Sequence, residues 1–184
     1  DEPLQMGETC DAIREAARAA GHASREVLEA GSGFDWQQLQ AEAAAFSLFA
    51  EKKIIDLRIP GGRPGAEGSK ALLAYCQDPP PDTLLLLTLP KIDRQQQNSK
   101  WFKALDGLGV VIQVWPIDAQ RLPGWIEQRL RQAGIQPSRD AVRMLADRVE
   151  GNLLAARQEI EKLVLLQGEG PLDAEQLTAA VTDS

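Results

Sequence analysis

Apolar positions recur along the chain with two periods, close to two and close to 3.6 residues, and the order in which these alternate predicts the fold. A first helix is predicted over Leu4 to Ala20, ended by Gly21, then a short strand over Glu26 to Ala30 and a turn at Gly31-Ser32-Gly33. Asp35 with Gln38 three residues on reads as a weak capping box, after which Trp36, Leu39, Ala43 and Phe46 share one helical face. Lys53 to Ile59 reads as a strand closed by Pro60-Gly61-Gly62, and Glu67 to Gln77 as a helix closed by three consecutive prolines. Thr83 to Leu89 is so continuously leucine-rich that a fully buried strand is expected. Arg94 to Leu105 is read as a helix, Val110 to Trp115 as the last strand, and Pro116 as its end.

Beyond that point only helical spacing remains. Leu122, Trp125, Ile126 and Leu130 form one stripe, Val142, Leu145 and Val149 a second, Leu153, Ile160 and Leu163 a third, and Ala174, Leu177 and Val181 a fourth. The boundaries are readable at Gly134 and Pro137, at Gly151-Asn152, and at Gly168 to Pro171. Strands alternating with helices imply a parallel sheet with crossover helices. The expected organisation is therefore an α/β domain over residues 1–117 and a small all-helical domain over 118–184.

Composition narrows the function classes. Hydrophobic residues make up 43% and charged residues 26% of the 184, the balance of a globular chain. The uninterrupted apolar runs, Leu84 to Leu87 among them, all fall far short of the roughly 20 residues that cross a bilayer, so no membrane role is expected. Cys10 and Cys76 stand far apart in no metal or redox spacing, which suits reduced thiols in a cytoplasmic protein. A formal charge of -7 gives no global field toward DNA or anionic lipid. The chain opens at Asp1 and closes inside a helical pattern, so a fragment of a longer protein is expected.

Catalytic groups are sparse. The one histidine, His22, follows a helix-ending glycine and has no serine or cysteine at a triad-like spacing, so it is read as a solvated loop residue. One histidine and two distant cysteines do not make a closed zinc site, and no acidic loop has calcium spacing, so no metal is expected. The segment from Gly62 to Lys70 is the nearest thing to a phosphate loop. It has five residues between the glycines instead of four, its Ser69-Lys70 pair is reversed, and Pro64 and Glu67 remove a donor and add repulsion. The leucine strand runs into Pro90-Lys91 rather than into the paired acids that hold magnesium. No cofactor is expected.

Phe46-Ser47-Leu48-Phe49 follows the second helix. At 100° per residue, Leu48 and Phe49 project away from the stripe of Trp36, Leu39, Ala43 and Phe46. They either cap the α/β core after a turn of the chain or form an exposed apolar wedge for a partner's pocket, and the spacing alone leaves both readings open.

The chain resembles the delta-subunit family of the bacterial DNA polymerase III clamp loader. The resemblance is carried by Asp1-Glu2-Pro3-Leu4, Phe46-Ser47-Leu48-Phe49-Ala50, Trp101-Phe102-Lys103-Ala104-Leu105 and Glu150-Gly151-Asn152-Leu153-Leu154-Ala155, in that order and spacing. It implies an ATPase-like, AAA+-type sheet domain without a working nucleotide site, then a helical lid-like domain, with a third, collar domain lying outside this sequence. It also implies that Phe46, Ser47, Leu48 and Phe49 bind the beta sliding clamp and open the ring during DNA replication. Sibling loader subunits would hydrolyse ATP, and DNA would be met through the assembled complex.

Three departures qualify the match. Ala44 stands where clamp-binding motifs commonly begin with glutamine. Leu154 stands where active relatives carry a nucleotide-sensing arginine, and a leucine cannot pair with phosphate. The chain begins just past the family's first strand and degenerate nucleotide loop, so the sheet is expected to lack a strand. Two other functions compete: a nucleotide-hydrolysing switch using Gly62 to Lys70, and local DNA binding by Lys100, Lys103, Arg121, Arg129 and Arg131.

Overall fold

The computed structural model describes residues 2–45 and 52–182, the side chains of the last two excepted. It divides into two compact units, one of Gln5–Val114 and one of Glu2–Leu4 with the chain from Trp115 onward.

In the first unit the elements are α1 (Pro3–Ala19, whose first turn belongs to the other unit), β1 (His22–Glu29), α2 (Gln37–Ala44), β2 (Lys52–Arg58), α3 (Gly65–Gln77), β3 (Thr83–Thr88), α4 (Arg94–Gln97) and α5 (Lys100–Leu108). The three strands form a parallel sheet in the order β1-β2-β3, with Leu28 opposite Leu57 and Leu57 opposite Leu87. Strand β2 is central and its five interior residues are buried, as a parallel strand covered on both faces requires. Alternation along β2 assigns its side chains to two cores. Ile55 and Leu57 pack with Leu39 of α2, Leu72 and Tyr75 of α3 and Trp101 of α5, whereas Ile54 packs with Cys10 and Ala17 of α1 and Leu86 of β3. Each fully buried leucine or isoleucine contributes about 1.5–3 kcal/mol.

Several expectations need correction. Residues 110–115 are not a strand: no ladder partner exists for them in the described sheet, and Val110 and Trp115 are 88% and 63% exposed. β-branched composition forms a strand only against a neighbour that supplies hydrogen bonds and packing. Of β3 only Leu86 is buried, and that not fully, because β3 lies at an edge of the described sheet. The helix predicted over Arg94 to Leu105 is two helices, broken where Ser99 caps α5 by accepting from the Phe102 N–H. Asp35 is not the N-cap of α2. That position is Trp36, and the Asp35 carboxylate accepts from the Gln37 N–H at 2.9 Å.

The second unit contains α6 (Leu122–Gln132), β4 (Ile135–Pro137), α7 (Arg139–Val149), α8 (Leu153–Gln167), β5 (Gly170–Leu172) and α9 (Ala174–Thr182). Ile126, Leu130, Val142, Leu145, Ile160, Leu163 and Leu177 meet in one core. Ser138 and Asn152 cap α7 and α8 through the N–H groups of Ala141 and Ala155. Helices alone were expected here, but β4 and β5 add a short parallel ladder, with Ile135 opposite Gly170 and Pro137 opposite Leu172. Three-residue strands are too short to leave a periodic signature.

Candidate partner-binding site

The segment singled out for partner binding, Phe46, Ser47, Leu48 and Phe49, lies outside the described residues. Its two stems are described. On one side α2 is seated by Leu39, fully buried, and Ala43, half-buried against the same core. Trp36 at its start meets Phe34 edge to face, with ring centroids 5.2 Å apart. On the other side β2 begins at Lys52. Lys53, second on that strand, points to the α2 face of the sheet like Ile55 and Leu57, and its Nζ donates to the carbonyl oxygens of Glu42 and of Ala45, the latter at 3.0 Å. The nearer Glu42 carboxylate oxygen lies 3.8 Å from Nζ. Sequence reasoning missed this lysine. The signal was a lone charge in an otherwise apolar alternation of Lys53, Ile55 and Leu57.

The opposite face of β2 carries a second buried charge. Asp56 is fully buried and accepts from Arg14 at 3.0 Å, from Arg25 at 2.5 and 3.1 Å, and from Arg58 at 3.4 Å. Burial alone would raise its pKa, but the hydrogen bonds and charges of Arg25 and Arg58 outweigh it and hold the carboxyl below its ordinary value. Arg14 is also bonded to Asp11 at 2.7 Å.

The glycines of the phosphate-loop-like stretch have packing roles. Gly62 has φ +68° and sits where a Cβ would lie 3.1 Å from Pro90. Gly68 is buried in α3, and a Cβ there would lie 2.6 Å from the Pro64 Cβ and closer still to the Trp36 ring. The Ser69 hydroxyl donates to the Gly65 carbonyl at 2.6 Å, and Glu67 occupies the first turn of α3. The hydroxyl is thus committed to its own helix.

The five basic residues considered for DNA divide between the units. Lys100 and Lys103 are exposed on α5. In the second unit Arg121 pairs with Asp118 at 2.8 Å, Arg131 with Glu127 at 2.8 Å, and Arg129 stacks 4.1 Å over Trp125. His22 opens β1 instead of lying in a loop, and its Nδ1 is 3.0 Å from the Ala17 carbonyl oxygen. Cys10 is buried and Cys76 half-buried, both as free thiols, and burial raises the pKa of Cys76. Leu154 is exposed at the start of α8. Among the described residues no group of three or more His, Cys, Asp or Glu side chains could hold a metal ion, and no helix is long and apolar enough to cross a membrane.

The family model described as DNA polymerase III, delta subunit, matches residues 1–114. The chain is 30% identical over 184 residues to DNA polymerase III subunit delta of Escherichia coli (strain K12), and 27% identical over 188 aligned positions to that of Haemophilus influenzae. Each alignment takes in all of this chain and 54% of the relative, so the chain spans about half the length of these curated relatives. Among solved structures it is similar to the Bacillus subtilis DNA clamp loader delta protein, with a TM-score of 0.67 at 20% identity over 96% of this chain and 55% of that one. It is also similar to the Thermotoga maritima RuvB Holliday junction branch migration motor, at 0.50 and 12% identity over 87% and 53%. These two likenesses bear on fold alone: the α/β unit has the ATPase-like, AAA+-type arrangement, and a helical part follows it.

Proposed function

The chain belongs to the DNA polymerase III delta-subunit family, and from that premise we propose that it is a non-catalytic, cytoplasmic clamp-loader part that binds the beta sliding clamp. Phe46, Leu48 and Phe49, with Ser47 between them, enter an apolar pocket on the clamp. The observation that carries this reading is the alignment of the entire chain with a delta subunit at 30% identity, within which the apolar segment 46–49 links two core-anchored elements. Its side chains bring little polar desolvation cost, and each one buried in a pocket contributes about 1.5–3 kcal/mol.

Opening of the ring follows thermodynamically if the segment binds the open clamp more tightly than the closed one. No bond is made or broken by this chain, and ATP hydrolysis belongs to other loader subunits. Contact with DNA comes through the assembled complex. The packing roles of Gly62 and Gly68 and the bound hydroxyl of Ser69 weigh against a nucleotide switch in this unit.

Calorimetric titration of the chain into purified clamp tests the proposal. Saturable binding in the micromolar range or tighter is expected. No binding with both partners at about 100 µM, where even −5 to −6 kcal/mol of affinity would register, rejects it.

A further inference from the structure

Three arginines converge on one buried carboxylate. The side chain of Asp56 is 0% exposed, and its ion pairs reach Arg14, Arg25 and Arg58, whose side chains are 12%, 37% and 45% exposed. A guanidinium group has five N–H donors. Arg25 uses two of them on Asp56, through Nε and Nη2, and Arg58 uses one, through Nε. The rest of their donors have no partner among the described residues.

The strand register shows where these donors lie. Arg25 stands opposite Ile54, Val27 opposite Asp56 and Glu29 opposite Arg58, so all six side chains share one face of the sheet. On that face α1 packs through Cys10 and Ala17 against Ile54, Leu84 and Leu86, which belong to β2 and β3. No side chain of β1 joins this core, and Val27 is 47% exposed. Over β1 the face is therefore an open shelf, with the exposed guanidinium groups of Arg25 and Arg58 anchored on Asp56.

The bonded network of Arg14, Arg25, Arg58, Asp11 and Asp56 holds three positive charges and two negative ones. Arg18, bonded to the Arg14 carbonyl, and Glu29, beside Arg58 in register, flank it with opposite signs. A chain with a formal charge of -7 thus keeps a local positive excess here. Neighbouring guanidinium groups repel each other, and an anion shared between them relieves that repulsion.

We propose that Arg25 and Arg58 form a binding site for a phosphate group, with Asp56 setting their orientation before the ligand arrives. The planar fork of arginine matches phosphate oxygens in pairs. A terminal phosphate brings close to two negative charges and three acceptor oxygens, enough to take donors from both side chains at once. The inference is independent of the clamp-binding reading, since no residue of the clamp-binding segment enters it.

The test is a calorimetric titration of the chain with inorganic pyrophosphate at low salt, using wild type, Arg25→Gln, Arg58→Gln, Arg58→Lys and, as a control cation on α5, Lys100→Gln. Wild type is expected to reach half-saturation at or below about 1 mM and to weaken as salt rises. Arg25→Gln and Arg58→Gln should each bind at least about tenfold more weakly, through loss of a charge-assisted pair of hydrogen bonds. Arg58→Lys should fall between, because an ammonium keeps the charge and loses the fork. Lys100→Gln should match wild type. Melting curves verify each fold. Should Arg25→Gln not fold, Arg58→Gln decides alone, its side chain being the more exposed of the two.

A short single-stranded oligonucleotide, with and without a 5′-phosphate, separates two sources of the ligand. Displacement of pyrophosphate by the phosphorylated form alone identifies a nucleic-acid end as a ligand, and displacement by neither identifies a small phosphate compound. No binding of pyrophosphate up to about 20 mM, or equal weakening in Arg58→Gln and Lys100→Gln, would overturn the proposal.

Discussion

Replacing Asp56 by Asn removes the negative charge from the centre of a guanidinium cluster while keeping the side-chain shape. The Asp56 carboxylate is fully buried and serves Arg14, Arg25 and Arg58 at 2.5–3.4 Å. Breaking a fully buried ion pair by removing one partner costs about 3–5 kcal/mol. Here the loss is smaller, because Arg25 and Arg58 are 37% and 45% exposed and can turn to water. Arg14 is the exception: it is 12% exposed and keeps only the exposed carboxylate of Asp11. One well-buried charged hydrogen bond lost outright is worth about 1.5–3 kcal/mol, so Asp56→Asn is expected to destabilise the chain by about 2–3 kcal/mol.

Urea unfolding followed by the fluorescence of Trp101, buried in the same unit, should show a lower midpoint with an unchanged slope. The pH dependence has a defined sign. The folded pKa of Asp56 lies below its ordinary value, so its contribution is present above the unfolded value of about 3.9 and is lost as pH falls through the folded one. The gap between wild type and Asp56→Asn should thus be level from about pH 5 to 7 and close below about pH 4. A loss under about 0.5 kcal/mol at pH 7, or a gap that widens on acidification, would refute the account of the cluster.

Two further outcomes follow from the packing. Gly68→Ala places a methyl group against Trp36 and Pro64 and should destabilise by about 1–3 kcal/mol despite the better helix propensity of alanine; a stabilised variant in thermal unfolding would contradict the packing. Ser138→Ala removes the acceptor that caps α7 and should cost about 1 kcal/mol, read as a lower melting temperature at unchanged helical circular dichroism.

Much of this fold was legible from periodicity. The run Lys53 to Ile59, with turn residues after it, identified the central strand, and the stripes Leu122–Leu130 and Val142–Val149, with a boundary between them at Gly134 and Pro137, identified two helices that the structure has as α6 and α7. Long elements leave many repeats in the sequence. Two misread strands share one cause: Val110 to Trp115 and the leucines of β3 were judged by local composition, whereas a strand's state depends on whether a neighbour lies beside it. β4 and β5 were missed because three residues carry no period.

For the candidate site, Leu48 and Phe49 stood out by projecting away from the helical stripe that Phe46 closes, and only the family resemblance implied a use for the segment. The roles of Lys53 and Asp56 were not readable. Apart from Arg58, two positions from Asp56, their partners lie 8 to 42 residues away in sequence, and only the folded sheet brings these together.

The most direct test of the central claim compares wild type with the Leu48→Ala, Phe49→Ala double variant in calorimetric titrations against purified beta sliding clamp, after matched melting curves. Loss of two pocket-buried side chains worth about 1.5–3 kcal/mol each predicts at least a hundredfold weaker binding with the fold intact. Binding unchanged by the double substitution would show that the clamp is held elsewhere on the chain, and would contradict the assignment of Phe46, Leu48 and Phe49 as the clamp-binding wedge.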